Sequence, residues 1–242
     1  MTTTILEALN TLDADILVFF NSFHNSFFDT FMMHATGRFT WIPMYIAIMC
    51  MLVKAFKTRE IILYAIGITL TILFADQICA TFLRPMFERL RPSNLENPLS
   101  AVIHVVDGYR GGSYGFPSCH GANSFALAVF LSLVFSRKRF TIFIFAWAIL
   151  NSYSRIYLGV HYPGDILAGA IIGSTVGYGV YRIVGLFVKE RREMAFARIK
   201  RPFFAIQYNP VGLIQLTAND LVLVMTGAII VVISIISFKI FV

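Results

Sequence analysis

Six apolar stretches, each close to the length that crosses a lipid bilayer, constrain this chain more than any other feature. In the 242-residue sequence they cover about residues 40–56, 60–82, 118–136, 140–155, 163–187 and 220–241. A helix needs about 20 apolar residues to span the hydrocarbon core. Charged residues make up only 14% of the chain, whereas soluble domains carry about 25%. The sequence therefore predicts an all-α, polytopic membrane helix bundle of about six transmembrane helices.

The segment before the first stretch has a different pattern. Residues 5–33 are apolar but are interrupted by Asn21, His24, Asn25 and Asp29, which is typical of an amphipathic helix lying on the membrane rather than crossing it. We therefore expect four parts: an N-terminal amphipathic, interfacial helix at 1–36, a membrane core at 37–188, a basic cytoplasmic connector at 189–219 and a C-terminal transmembrane helix at 220–242.

The positive charges indicate an orientation in the membrane. Twelve of the 20 Lys and Arg residues lie in three connections that share one face: Lys54, Lys57 and Arg59; Arg137, Lys138 and Arg139; and Lys189, Arg191, Arg192, Arg198, Lys200 and Arg201. Cytoplasmic loops are enriched in such residues, so we expect this face to be cytoplasmic and the opposite face to meet the periplasm or exterior. The net charge of +7 does not indicate a nucleic-acid partner, because no basic patch is interleaved with aromatic residues.

The motif Ser154-Arg155-x5-His161-x3-Asp165 lies between two of the stretches. Ionisable groups at a membrane border are costly and are therefore candidates for function. Proline is favoured in the first turn of a helix, so a helix should begin near Pro163, with Asp165 reaching back as in a capping box. Asp165 could then orient His161 as in a catalytic triad. For this motif alone, a helix cap beside an interfacial histidine explains the pattern equally well.

A second motif, Pro117-Ser118-Cys119-His120, precedes another apolar stretch. It predicts a helix that starts with Ser118 as its N-cap. The free backbone N–H groups around Cys119, His120 and Gly121 would then point at an anion, with His120 placed to protonate a leaving oxygen. The alternative is an ordinary cap with an incidental histidine.

A third motif contains Arg84 and Arg91, which are seven residues apart. On a helix of two turns both would face one side over roughly 10 Å, with Pro85 starting and Pro92 ending that helix. Arginine binds phosphate oxygens through forked, charge-assisted hydrogen bonds. The alternative is anchoring to lipid headgroups, which we expect for the neighbouring Arg89.

The three motifs occur in order on one face, and together they resemble the type 2 phosphatidic acid phosphatase (PAP2) superfamily over about residues 40–187. That family has Lys-x6-Arg-Pro, Pro-Ser-Gly-His and Ser-Arg-x5-His-x3-Asp. The resemblance implies that 37–188 is a PAP2-like phosphatase core in which His161 is the nucleophile, Asp165 its orienting partner and His120 the acid. It also implies that the phosphate is held by Arg84, Arg91, Arg155, Ser118 and the backbone of Cys119. The stretches Phe116–Asn123 and Gly159–Asp165 resemble bacterial integral-membrane members that include lipid A phosphatases.

Two positions depart from the family pattern. Arg84 stands in place of lysine, which replaces a point donor by a planar fork. Cys119 stands in place of glycine, which restricts the backbone and adds a thiol. A cysteine nucleophile is not indicated, because the loop of cysteine phosphatases has arginine six residues further on and this chain has Phe125.

The function expected from these motifs is removal of phosphate from a membrane lipid phosphate or pyrophosphate through a phosphohistidine. We expect no cofactor and no metal, since no Asp/Glu cluster has two-metal spacing, and the odd number of cysteines predicts no disulfide. Lipid A phosphates, undecaprenyl pyrophosphate and phosphatidylglycerophosphate are all compatible substrates. Transfer to an acceptor other than water, and non-catalytic binding or transport of a lipid phosphate, stay open.

The 24 residues Ser93–Phe116 lie between the second and third apolar stretches. Long loops are usually functional or disordered, and four glycines and two tyrosines suit a wall at a lipid–water boundary. We expect this loop to form the outer wall of a pocket and to select among headgroups, with His104 not catalytic. A solvated connector is the alternative.

Overall fold

The structure is a computed structural model that describes residues 2–37 and 39–188, together with residues 227, 229, 230, 232–234 and 236. Its named elements are α1 (Thr2–Asn21), α2 (Ser26–Ala35), α3 (Ile42–Ala55), α4 (Thr58–Gln77), a π-helix (Ile78–Leu83), α5 (Arg84–Phe87), two 3₁₀ helices (Pro98–Ala101 and Val106–Gly108), α6 (Cys119–Phe135), α7 (Lys138–Tyr157) and α8 (Pro163–Phe187). No strand is named within these ranges, only an isolated antiparallel bridge between Leu90 and Tyr114. The all-α class is confirmed.

Five of the six apolar stretches form helices in the described part of the chain. Thr58–Phe87, which is α4, the π-helix and α5 in continuity, has 30 residues, and Pro163–Phe187 has 25; both are long and apolar enough to cross a membrane, whereas Ile42–Ala55 and Cys119–Phe135 are apolar but shorter. A count of six spans is therefore not confirmed. The connector expected at 189–219 lies outside the described residues, as does the C-terminal helix apart from seven residues, which are helical.

The N-terminal segment forms two helices where one was expected. The chain breaks after α1, and the Asn25 side chain accepts a hydrogen bond from the backbone N–H of Phe28 at 2.9 Å, which starts α2 with an N-cap. Leu17 of α1 is fully buried in a cluster with Ile103, Ile156, Tyr162 and Ile166, while Ile5, Leu6, Leu9 and Leu12 are exposed. One face of α1 is thus packed on the bundle, and contact of the other face with a membrane stays a prediction.

Helices α6 and α8 form the closest pair in the bundle. Gly169, Gly173 and Gly177 follow one another at one-turn spacing, which predicts close approach of a second helix. A Cβ on any of the three would lie less than 3.0 Å from a backbone carbonyl oxygen of α6 or of its N-cap residue Ser118. At the start of the pair, the N–H of Ser118 donates to the carbonyl oxygen of Asp165 at 3.0 Å. The contact confirms the packing role of the glycines and fixes the starts of both helices side by side.

All three motifs lie at one end of the bundle. The Thr58–Phe87 helix and α7 end there, and α6 and α8 begin there. The short connections from α3 to α4 and from α6 to α7 lie at the opposite end, with six of the twelve basic residues discussed above in or beside them. The large aromatic core, which includes Phe130, Phe140 and Trp147, fills the bundle between the two ends.

The expectation that Arg84 and Arg91 share one helix is wrong. The helix ends at Phe87 because Glu88 adopts a left-handed conformation, with φ 46° and ψ 28°. The chain then turns towards the long loop, where the N–H of Arg91 donates to Ser113 O at 3.0 Å. The π-helix that precedes Pro85 fits the proline, since a proline ring clashes with the carbonyl four residues earlier in a regular α-helix.

Candidate active site

His161 and Asp165 form a buried pair at the start of α8. Their side chains are 1% and 0% exposed, and His161 Nδ1 lies 3.2 Å from Asp165 Oδ2. The same oxygen accepts from the backbone N–H of Tyr162 at 3.0 Å, so the capping expected from the sequence is present. His161 Nε2 lies 2.7 Å from Arg91 Nη1. Because a guanidinium only donates, Nε2 is the accepting nitrogen and Nδ1 carries the hydrogen that Asp165 accepts.

The environment of His161 keeps its ring neutral. Burial lowers the pKa of His161 well below its ordinary value of 6.5, and the positive charges of Arg91, Arg155 and Arg84 lower it further. A neutral ring retains the lone pair on Nε2 at neutral pH. The imidazole is therefore suited to act as a nucleophile or base rather than as an acid.

Three arginines from different elements surround this ring. Arg84 is the first residue of α5, Arg91 lies in the loop that follows, and Arg155 is in the last turn of α7. Burial, and then the charges of Arg84 and Arg155, lower the pKa of Arg91 to about 10. The Nε of each arginine is buried and has no hydrogen-bond partner within the described residues. Each guanidinium thus keeps a donor that a bound anion would satisfy, because an unpaired buried donor is costly.

Arg155 is positioned by two segments that are distant in the sequence. Its Nη1 donates to Thr36 Oγ1 at 2.8 Å, at the C-cap of α2, and its Nη2 donates to Tyr109 Oη at 3.0 Å. Arg155 as a whole is only 2% exposed. Both partners are neutral, so the positive charge of Arg155 is oriented but not cancelled.

Arg84 contacts the other position at which the chain departs from the family pattern. Its Nη2 lies 2.9 Å from Cys119 Sγ, to which it donates, and 3.4 Å from Pro117 O. The sequence identified the two departures separately and gave no sign that they touch. A thiol in place of glycine therefore supplies a side-chain partner for the arginine that replaces lysine.

The start of α6 brings its motif to the same place. The Ser118 side chain accepts from the N–H of Gly121 at 3.3 Å, which confirms the expected N-cap. His120 lies half-buried in the first turn, directly after Cys119. Through the contact of Ser118 with Asp165 and that of Cys119 with Arg84, all eight residues singled out in the sequence lie at one end of the bundle.

Arg89 is a residue whose role was misread from the sequence. Instead of facing lipid headgroups, it donates from Nη1 to Asp165 Oδ1 at 2.8 Å and from Nη2 to Asp13 Oδ2 at 2.8 Å. No spacing rule indicates this contact, because the partners are 76 residues apart. A buried carboxylate does, however, require a cation nearby.

Gly115 was also overlooked. A Cβ at this position would lie 3.0 Å from Asp165 Oδ2, 3.2 Å from Arg91 Cγ and 3.4 Å from His161 Nδ1. Its N–H donates to Arg89 O at 2.8 Å. The end of the long loop therefore packs directly on the His161–Asp165 pair, with no space for a side chain.

The rest of the long loop is held by polar contacts. His104 Nε2 pairs with Asp29 Oδ2 at 3.0 Å, and its ring stacks on that of His24 with centroids 4.0 Å apart. Tyr109 and Gly115 contact the site, which favours a wall over a solvated connector. His104 is engaged with the N-terminal helices, and headgroup selection by the loop stays a prediction.

The described residues contain no group of three or more His, Cys, Asp or Glu side chains that could hold a metal ion. The positive charge near His161 comes from guanidinium groups. Independence from metals stays a prediction, which chelation would test.

The chain is similar to a known protein family and to named relatives. The model of the PAP2 superfamily matches residues 64–189. Lipid A 4'-phosphatase of Bacteroides thetaiotaomicron is 51% identical over 179 residues, which cover 74% of this chain and 80% of the relative. Lipid A 4'-phosphatase of Porphyromonas gingivalis is 34% identical over 186 residues, covering 77% and 78%.

A solved structure shows the same fold. The transmembrane PAP2-type phosphatidylglycerolphosphate phosphatase of Bacillus subtilis superposes with a TM-score of 0.56 at 22% identity, over 76% of this chain and 89% of that one. The chain belongs to the PAP2 superfamily. The family expected from the three motifs is confirmed, and with it the class of membrane lipid phosphatase.

Proposed function

We propose that this PAP2 phosphatase removes a phosphate group from lipid A at the periplasmic face of the inner membrane, through a phosphohistidine on His161. One observation carries the chemistry: a neutral imidazole is surrounded by three guanidinium groups, each with a buried Nε that has no partner among the described residues. Such a cluster suits a phosphate with at least two negative charges.

The first half of the reaction transfers the phosphoryl group to the protein. His161 Nε2 attacks phosphorus in line, and the bond from phosphorus to the lipid oxygen breaks. His120 gives its proton to that oxygen, so the lipid leaves as an alcohol. The donors of Arg84, Arg91 and Arg155 bind the equatorial oxygens, where charge develops. Arg91 Nη1, which donates to Nε2 in this structure, turns its hydrogen bond to a phosphate oxygen as Nε2 is phosphorylated.

The second half returns the protein to its starting state. His120, now neutral, takes a proton from water, and the resulting hydroxide attacks the phosphohistidine. The nitrogen–phosphorus bond breaks, its electron pair returns to Nε2, and inorganic phosphate leaves. Asp165 accepts the Nδ1 hydrogen throughout, which orients the ring and stabilises the positive charge on the phosphorylated imidazole.

The choice of lipid A rests on the two relatives. The identity of 51% to one lipid A 4'-phosphatase covers most of both chains, and the second relative with this name covers a similar share. An acid that protonates a sugar oxygen and a site at the end of membrane helices are both compatible with a glycolipid phosphate. The proposed position is the 4'-phosphate.

The test is phosphate release by purified protein from lipid A, undecaprenyl pyrophosphate and phosphatidylglycerophosphate, with His161→Ala as the background. We expect the highest kcat/KM on lipid A and loss of its 4'-phosphate by mass spectrometry. Preference for another lipid would contradict the proposed substrate but leave the proposed reaction unchanged. A phosphorylated acceptor in place of free phosphate would make the protein a phosphotransferase, and binding without turnover of any lipid would make it a binding protein.

The orientation is proposed from charge and topology. The motifs lie at the end of the bundle opposite the connection that contains Arg137, Lys138 and Arg139, and basic connections stay in the cytoplasm. A reporter that is active only after export, fused after Arg139, should be silent. An active fusion at that position would place the site in the cytoplasm.

A further inference from the structure

The buried carboxylate of Asp165 shares one cation with a carboxylate of the N-terminal helix. Arg89 donates to Asp165 Oδ1 and to Asp13 Oδ2, both at 2.8 Å. Its guanidinium carbon lies 3.9 Å from the centre of the Tyr162 ring. Two carboxylates and an aromatic face therefore fix the fork of Arg89 in one plane, a geometry that lysine cannot reproduce in full.

Asp165 needs this cation because it has no contact with water. Its side chain is 0% exposed, and transfer of an unpaired carboxylate into such a site is strongly unfavourable or is avoided by protonation. A protonated Asp165 would be a weak acceptor for the Nδ1 hydrogen of His161. Within the described residues, Arg89 is the only arginine or lysine in a salt bridge with Asp165.

Asp13 accepts a hydrogen bond from Arg89 and also contacts the start of α8. Its Oδ1 accepts from the N–H of Gly164 at 2.7 Å, one of the free donors at the helix N-terminus. A Cβ on Gly164 would lie 2.7 Å from Asp13 Oδ2. A carboxylate of α1 thus takes the position beside Gly164 and caps α8 from another helix.

We propose that Arg89 and Asp13 are positioning residues that keep Asp165 ionised and aligned with His161, so that the N-terminal helix completes the catalytic pair. The PAP2 model begins at residue 64, and Asp13 lies outside it. This proposal rests on the proposed function and deepens it: α1 contributes to turnover as well as to any contact with the membrane.

The role predicts an effect on kcat rather than on KM. Arg89 donates to Asp165 and Asp13 and reaches neither His161 nor the three arginines assigned to the phosphate. Arg89→Met should lower kcat about 100-fold, by analogy with the upper range for groups that orient the ligands of a metal site, and leave KM within about threefold. Arg89→Lys should recover part of the loss, because a point charge still neutralises Asp165 but holds only one carboxylate well.

Asp13→Asn should lower kcat about tenfold, since Arg89 keeps Asp165 but loses its second anchor. In the Arg89→Met background the same change should have no further effect: the amide oxygen of the asparagine can still accept from the N–H of Gly164, and the charge that is removed acts on Asp165 only through Arg89. This non-additivity separates a shared network from two independent defects. The matched controls are Asp15→Asn, an exposed acid on the same helix, and Arg182→Met, an arginine of α8 that stacks on Tyr178 instead. Both should keep kcat within about twofold.

The assay is phosphate release from the best lipid substrate, with the melting temperature of each variant measured in the same detergent. If Arg89→Met does not fold, Arg89→Lys and Asp13→Asn carry the test. A kcat within about threefold of wild type for Arg89→Met, a loss confined to KM, or additive losses in the double variant would overturn the positioning role and leave the phosphatase intact. A wild-type protein that releases no phosphate from any lipid overturns both proposals.

Discussion

Gly115→Ala adds a single methyl group at the point where the long loop meets the catalytic pair. The backbone of Gly115 does not have a positive φ, so alanine fits its conformation. The new Cβ would lie 3.0 Å from Asp165 Oδ2 and 3.4 Å from His161 Nδ1. That oxygen and that nitrogen form the hydrogen bond that orients the His161 ring. The methyl group therefore makes close steric contact with both atoms of this hydrogen bond.

The expected loss follows from these distances. An ordinary van der Waals contact of a Cβ begins at about 3.4 Å, so Asp165 or the loop must move by about 0.4 Å. A misplacement of about 1 Å costs about 100-fold in rate, which gives about sixfold for this shift. The bond of 3.2 Å between Nδ1 and Oδ2 would also stretch towards 3.6 Å, at which a hydrogen bond no longer forms. We expect kcat to fall between about 10-fold and 100-fold in total.

The matched control is Gly112→Ala in the same loop, where an added Cβ meets nothing within 4 Å. The assay is phosphate release over a range of lipid concentrations, with melting temperatures as a check on folding. Gly112→Ala should retain wild-type kcat. If Gly115→Ala also stayed within about twofold of wild type, the pair would not need its present alignment and the argument from packing would fail.

Four further predictions concern the proposed chemistry. His161→Ala should abolish turnover and leave the fold intact, as judged by phosphate release and melting temperature; residual activity within about tenfold of wild type would remove the nucleophile. His120→Ala should slow an alkyl phosphate more than an activated aryl phosphate, since an acid matters most for a poor leaving group, whereas equal losses would leave it only a binding role. Activity should survive excess EDTA, and a loss restored by added metal would contradict the arginine site. The pKa of His161 in the folded protein lies well below 6.5, so the unfolded chain takes up a proton at this residue first as the pH falls. The free energy of unfolding of wild type should therefore decrease relative to that of His161→Gln, by up to about 1.4 kcal/mol per pH unit below 6.5. Parallel plots of the two unfolding free energies against pH, from denaturant titrations, would contradict this.

Local signals predicted the helix starts that build the site. Ser118 and Pro163 were identified as the beginnings of their helices because N-caps and first-turn prolines act within three or four residues. The capping contact from Asp165 to Tyr162 follows from the same short range. The end of the helix between Arg84 and Arg91 was not predicted, because no local signal marks it. A glutamate such as Glu88 does not indicate a left-handed conformation, and the segment after it is hydrogen-bonded to Ser113, which is distant in the sequence.

The contacts that orient the site could not be predicted, because they join residues that are far apart in the sequence. Arg89 reaches Asp13 and Asp165 across 76 residues in either direction, and Arg155 reaches Thr36 across 119. No periodicity encodes which side chain of α1 or α2 meets which arginine. A buried carboxylate implies only that some cation lies near it, and the tertiary fold determines which one.

The backbone contact between α6 and α8 limits which parts of the protein can diverge in evolution without disturbing the site. With three successive glycines seated on carbonyl groups of the neighbouring helix, neither helix can slide or rotate without a clash along its whole length. The spacing between the two histidine motifs is therefore set by main-chain atoms, which side-chain mutation does not alter. Adaptation to a new lipid is left to the segments around this rigid pair: the long loop, the end of the Thr58–Phe87 helix and the N-terminal helices.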